Sequence, residues 1–212
     1  MNFKYYFKEV LKNIKLGFLN NKYLLVFSIL LFVVPLLIGY FFADNFSFMN
    51  DIIELFGKQV TNGNIQLTTS SLFANNFKVD IILFLGSVLF AIIGILILVF
   101  NGLFIGYFAT KISLIPFLAL TIPHGIFEIP SLIISSFAGF IVLSFILKTI
   151  KCLVINDSKI SDRFKLAYNA NSDMLKQALA LLILAIILVA IAAFIEANLT
   201  QYIAFNIFKI TL

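Results

Sequence analysis

His124 and Glu128 stand four residues apart, the spacing that puts two side chains on one face of a helix. Both fall inside an apolar stretch, where ionisable groups are expensive and need a partner or a purpose. The other ionisable residues in apolar surroundings are Asp80, Lys111 and Glu196. Glu196 closes the last apolar run, so it can meet Glu128, share a proton with it, or flank His124. Three chemistries are open to His124, Glu128 and Glu196. They can clamp helices together, satisfied by one another and by backbone freed at Pro123. They can ligate a metal, since a histidine and two carboxylates are adequate for zinc. They can form a proton or ion relay. The metal reading lacks a second histidine and a His-Glu-x-x-His signature. No resident metal or cofactor is therefore expected, and the clamp is the preferred reading.

A second pattern is small residues at helical spacing. Asn101-Gly102 followed by Gly106 allows a close helix approach, with Asn101 placed to hydrogen-bond across helices. Gly86 and Gly94 extend the theme less specifically. No Walker loop, nucleophile elbow or dinucleotide fingerprint occurs, and no catalytic residue is expected.

The elements that position these residues belong to a membrane protein. The 212-residue chain is 62% hydrophobic and 12% charged, and its mean hydropathy is +1.09. Soluble domains carry about 25% charged residues. The net charge is +5, but the lysines sit in polar gaps between apolar runs. That distribution sets orientation in a bilayer and argues against nucleic-acid binding. One cysteine, Cys152, cannot build a disulfide framework within the chain.

Residues 1–22 read as a basic amphipathic helix on the inner face, with Lys4, Lys8, Lys12, Lys15 and Lys22 among apolar positions. Residues 23–212 read as one transmembrane domain. Its apolar runs are 24–42, 81–100 continuing to about 109, 112–122, 129–147 and 177–195. The first is read as an uncleaved span. Between them lie an outer loop, 43–76, and a basic loop, 148–176. Asp51 and Glu54 have the spacing of a helix start, with Asp51 as N-cap. The tail 197–212 reads as interfacial.

The expected fold is all-α, a polytopic transmembrane bundle of four to five spans. The basic leader and the basic loop belong on the cytoplasmic side, which leaves the C-terminus extracytoplasmic. Two layouts satisfy the charges. In one, 103–122 and 127–147 are full spans and Lys111 falls near mid-membrane. In the other, 80–110 is one long kinked helix, and 112–128 is a re-entrant or broken segment turning at Pro123-His124-Gly125.

Three stretches together resemble the stage II sporulation protein M family: Phe100-Asn101-Gly102-Leu103-Phe104-Ile105-Gly106, Ile122-Pro123-His124-Gly125-Ile126-Phe127-Glu128-Ile129-Pro130, and Ala192 through Glu196 to Thr200. The Pro-His-Gly-x-x-Glu core is the most specific piece, and Asn75-Asn76 matches a common entrance to the second span. The resemblance covers about residues 75–200; the first 74 match in layout alone. Gln201 stands where the family often has proline soon after the threonine. The resemblance implies a multi-pass plasma-membrane protein. The named member resembles an anchor that localises peptidoglycan-degrading partners during engulfment and is not itself a hydrolase. Relatives also occur in organisms that make no spores, archaea included. Asn101, Gly102, Gly106, Pro123, Gly125 and Thr200 are read together as helix-packing positions.

The function expected from the sequence is a non-enzymatic membrane scaffold. Its partners would be the lipid bilayer and other membrane or extracytoplasmic proteins, met through the outer loop and the polar cluster. A homo-oligomer is compatible with this reading. The alternative is a transporter- or channel-like component using Glu128 and Glu196 as a relay.

Overall fold

The apolar runs become helices because a chain in lipid must satisfy its backbone polar groups internally. The computed structural model describes residues 3–62, 66–89, 91–155 and 160–208, and no strand occurs among them. The helices are α1 (Phe3–Asn20), α2 (Lys22–Phe41), α3 (Met49–Thr61), α4 (Thr69–Val88), α5 (Ile92–Phe108), α6 (Leu114–Ile155) and α7 (Ile160–Ile195). A 3-10 turn covers Ala43–Phe46, and α7 runs on into two π-helical turns, Glu196–Thr200 and Ile203–Ile207. Four helices are long and apolar enough to cross a membrane, and α5 is a shorter apolar helix. The chain is an all-α membrane helix bundle.

Contacts between helices fix their directions. A Cβ on Gly102 would strike the carbonyl of Phe32, one on Gly106 that of Leu36, and one on Gly39 that of Leu103. From Phe32–Gly102 to Leu36–Gly106 the paired numbers rise together, so α2 and α5 run parallel. Gly94 packs on Ser87, so α4 and α5 form a tight antiparallel hairpin. Asp80 meets Ser131 and Ser87 meets Ser136 at 3.0 Å, so α4 runs parallel to α6. Ser131 reaches the carbonyl of Ala185 at 2.8 Å, and Lys148 reaches Met174 at 3.5 Å, so α6 and α7 are antiparallel. Helices α2, α4, α5, α6 and α7 therefore alternate in direction.

Two apolar clusters hold the bundle. Phe137, Ala138 and Ile141 of α6 pack on Ala178, Leu181 and Ala185 of α7, joined by Ile14 and Phe18 of α1. Phe32, Leu83, Leu98 and Leu132 join α2, α4, α5 and α6. Small side chains at these crossings let backbones approach, which is how helices associate where lipid removes the hydrophobic drive. The outward faces of α2, α4, α5 and α7 carry exposed Leu30, Leu85, Leu96 and Ile187, as a lipid-facing surface requires.

Several sequence expectations are corrected. The run 81–100 is not one span. It breaks after Val88, and Ala91 adopts a positive φ of 62° where the chain reverses. The second crossing starts instead at Thr69, capped by Thr68, inside the segment read as a loop. Nor does the chain break at Pro123-His124-Gly125, because α6 passes through Pro123 and Pro130 uninterrupted. The 112–128 segment holds only the turn before Leu114, so the re-entrant hairpin is absent. Lys111 is exposed just beyond α5, its ammonium 4.3 Å from the Tyr107 ring centroid, not at mid-depth. Asp51 lies inside the first turn of α3, not at its N-cap. Glu54 pairs with Lys58 at 2.6 Å, and this ammonium holds its carboxyl below the usual range.

Candidate functional site

α6 and the end of α7 meet where their polar residues lie. His124 and Glu128 occupy one face of α6, with Nε2 3.7 Å from Oε2. That separation is too long for a hydrogen bond. Opposite them, α7 widens into the π-helical turn Glu196–Thr200, closed by the N–H of Gln201 donating to the Glu196 carbonyl. A π turn takes more than four residues per revolution, so Glu196 and Thr200 face α6 nearly in line. Thr200 Oγ lies 3.2 Å from His124 Nδ1. One nitrogen or oxygen from each of His124, Glu128 and Glu196 falls within 4.8 Å of the others, and all three residues are half-buried. The structure thus brings together the three residues singled out by their chemistry.

A second polar layer lies one turn further along α6. Asp80 is fully buried in α4, and the Ser131 hydroxyl meets its Oδ2. The same hydroxyl reaches the Ala185 carbonyl. Among the described residues, Asp80 Oδ1 and the Ser135 hydroxyl are buried and make no hydrogen bond of normal geometry, but Ser135 stands near enough to act on the Asp80 carboxyl. Asp80 and Glu196 both lie within electrostatic reach of Glu128. The sequence sets Asp80 directly before the apolar run 81–100 and names no partner for it, so this role was missed. The signal was Ser131 and Ser135, two hydroxyls at i, i+4 on α6, ready to meet a buried carboxyl.

The packing positions divide. Gly102 and Gly106 lie directly against the α2 backbone. Asn101 bonds the carbonyl of Ile97 in its own helix at 2.8 Å and, among the described residues, bridges to no other helix. A Cβ on Gly125 would touch only Thr121 and Ile129 of α6, so no other helix makes a close approach there. Pro123 is accommodated within α6. Thr200 belongs to the polar cluster through His124.

Two relatives come from Methanocaldococcus jannaschii. One uncharacterized protein is 33% identical over 192 residues, covering 85% of this chain and 95% of its own length. A second uncharacterized protein is 30% identical over 210 residues, covering 93% of this chain and 88% of its own. The model of the family described as stage II sporulation protein M matches residues 28–201, which contain every residue of both polar layers. No solved structure matches.

Proposed function

Since this chain belongs to the stage II sporulation protein M family, we propose that it is a multi-pass membrane scaffold that gathers partner proteins at the bilayer. Its N-terminus is cytoplasmic and its C-terminus extracytoplasmic. One observation carries this reading: the α6–α7 hairpin projects far beyond the bundle. At 1.5 Å per residue, the 42 residues of α6 extend about 63 Å, against about 30 Å of hydrocarbon. Asn21 at the start of α2 bonds Gln177 of α7 at 3.0 Å, so residues 149–155 of α6 and 160–175 of α7 lie past the level where α2 begins. Arg163 donates to the Leu153 carbonyl at 2.8 Å and ties the two arms.

The projecting hairpin carries Lys151, Arg163 and Lys165, whose charge supports a cytoplasmic location. It also exposes Val154, Ile160, Phe164 and Leu166, the first two to 76% and 74%. Apolar side chains shown outside the lipid layer mark a surface for another protein. The test is recovery of the tagged protein from its own membranes, with mass spectrometry of what accompanies it. Ile160→Ser with Phe164→Ser should remove a specific set of partners at unchanged abundance of the protein. An identical partner set from wild type and variant rejects this surface.

A further inference from the structure

His124, Glu128 and Glu196 do more than pin α6 to α7. We propose that they bind a divalent transition-metal cation of the zinc class, with His124 Nε2 and one oxygen from each carboxylate as ligands.

Three observations carry this. The first is charge. Among the described residues, His124 is the basic side chain that contacts Glu128, and neither Glu128 nor Glu196 receives a hydrogen bond. Carboxylates gathered in a half-buried site between helices call for a positive charge among them. A divalent cation neutralises both at once.

The second is the orientation of the histidine. Thr200 Oγ lies beside Nδ1 at 3.2 Å. With Nδ1–H donating to that oxygen, the neutral ring turns the lone pair of Nε2 towards Glu128 Oε2, 3.7 Å away. A lone pair facing a carboxylate oxygen is repulsive unless a proton or a metal cation sits between them, and at 3.7 Å the two atoms are too far apart for a direct hydrogen bond. Metal-ligating histidines characteristically give their second ring N–H to such an acceptor.

The third is spacing. Ligand atoms around a tetrahedral zinc at about 2.0–2.1 Å lie roughly 3.4 Å apart. The three atoms here, within 4.8 Å of one another, close to that figure with rotamer adjustments alone. The imidazole favours zinc, iron, nickel or copper over magnesium or calcium. Three protein ligands leave a fourth position for water or for a group from a partner. The sequence argued against a metal because a second histidine is missing. The geometry answers by bringing both carboxylates to the one histidine and adding a hydroxyl that orients it.

The test uses the full chain in detergent, stripped with chelator and dialysed against zinc, then assayed for bound metal by mass spectrometry. Wild type should hold about one zinc per chain, as a single three-ligand site requires. Glu128→Gln with Glu196→Gln should lose it, and Thr200→Val should weaken affinity about 10- to 100-fold, as loss of an orienting partner does. Cobalt substitution should give visible absorption of a tetrahedral or five-coordinate site. Cobalt reports on wild type alone, so the outcome stands even where variants fold poorly. Folded wild-type protein that takes up neither zinc nor cobalt overturns the proposal. So does full stoichiometry in the folded double variant.

Discussion

Asp80 shows how a single side chain can be misread. A charge beside an apolar run is ordinarily a boundary marker, since ions are costly in lipid. Here the boundary lies eleven residues earlier at Thr69, and Asp80 is enclosed among α4, α6 and α7. The Ser131 hydroxyl has one hydrogen and faces two oxygens, Asp80 Oδ2 and the Ala185 carbonyl. Serving both contacts takes a second hydrogen, which the Asp80 carboxyl can supply. An amide supplies a hydrogen in the same place. Asp80→Asn should therefore keep thermal stability within about 0.5 kcal/mol, while Asp80→Ala should lose about 1–2 kcal/mol, the range for a buried interhelical hydrogen bond. Thermal unfolding in detergent measures both, and equal losses would show that the hydrogen count is wrong. His124 and Glu128 were legible because i, i+4 spacing survives any helix boundary error. Asp80 was not, because its partner serines lie 51 and 55 positions away in sequence.

At the scale of the element, the sequence showed helices clearly and their ends poorly. Residues 81–109 contain neither proline nor charge, so no local signal marks the reversal between α4 and α5. The turn is built on Ala91 at φ 62°, where a glycine would have announced it. A left-handed φ costs an L-residue about 1–2 kcal/mol, so Ala91→Gly should raise stability by about 1 kcal/mol. No change, or a loss, would mean that Ala91 takes an ordinary backbone conformation. Pro123 misled in the opposite direction, because neighbouring helices let a long membrane helix continue through proline. The glycine face of α5 was read correctly in kind. Its partner, α2, could not be named, because small residues advertise close approach without saying to what. Gly106→Val drives a side chain into the Leu36 carbonyl and should cost about 2–3 kcal/mol, the upper range for overpacking. Gly57 of α3 has open space around its Cβ position. Gly57→Ala should be neutral or stabilising by about 0.5–1 kcal/mol, as alanine favours helix over glycine.

The whole molecule turns on the count of crossings, and the parallel pairing of α2 with α5 decides it. Gly102 and Gly106 meet Phe32 and Leu36 in the same chain direction, so the ends of α2 and α5 lie at one side of the bundle. Tyr107 near the end of α5 donates to Asn50 of α3 at 2.7 Å, which joins the turn after α5 to the segment after α2. The α4–α5 turn belongs at the opposite side, near the start of α2. A chain folded this way passes the bundle axis with α2, α4, α5, α6 and α7, and its basic leader and basic hairpin share one side. With Cys152 replaced by serine, single cysteines at Asn62 and Ser113 should react with an impermeant maleimide added outside intact cells. A cysteine at Lys151 should react only after the membrane is opened. Reaction of the Ser113 position from the cytoplasmic side while Asn62 still reacts from outside would require α5 to reverse direction relative to α2, and the glycine contacts between them could not then exist.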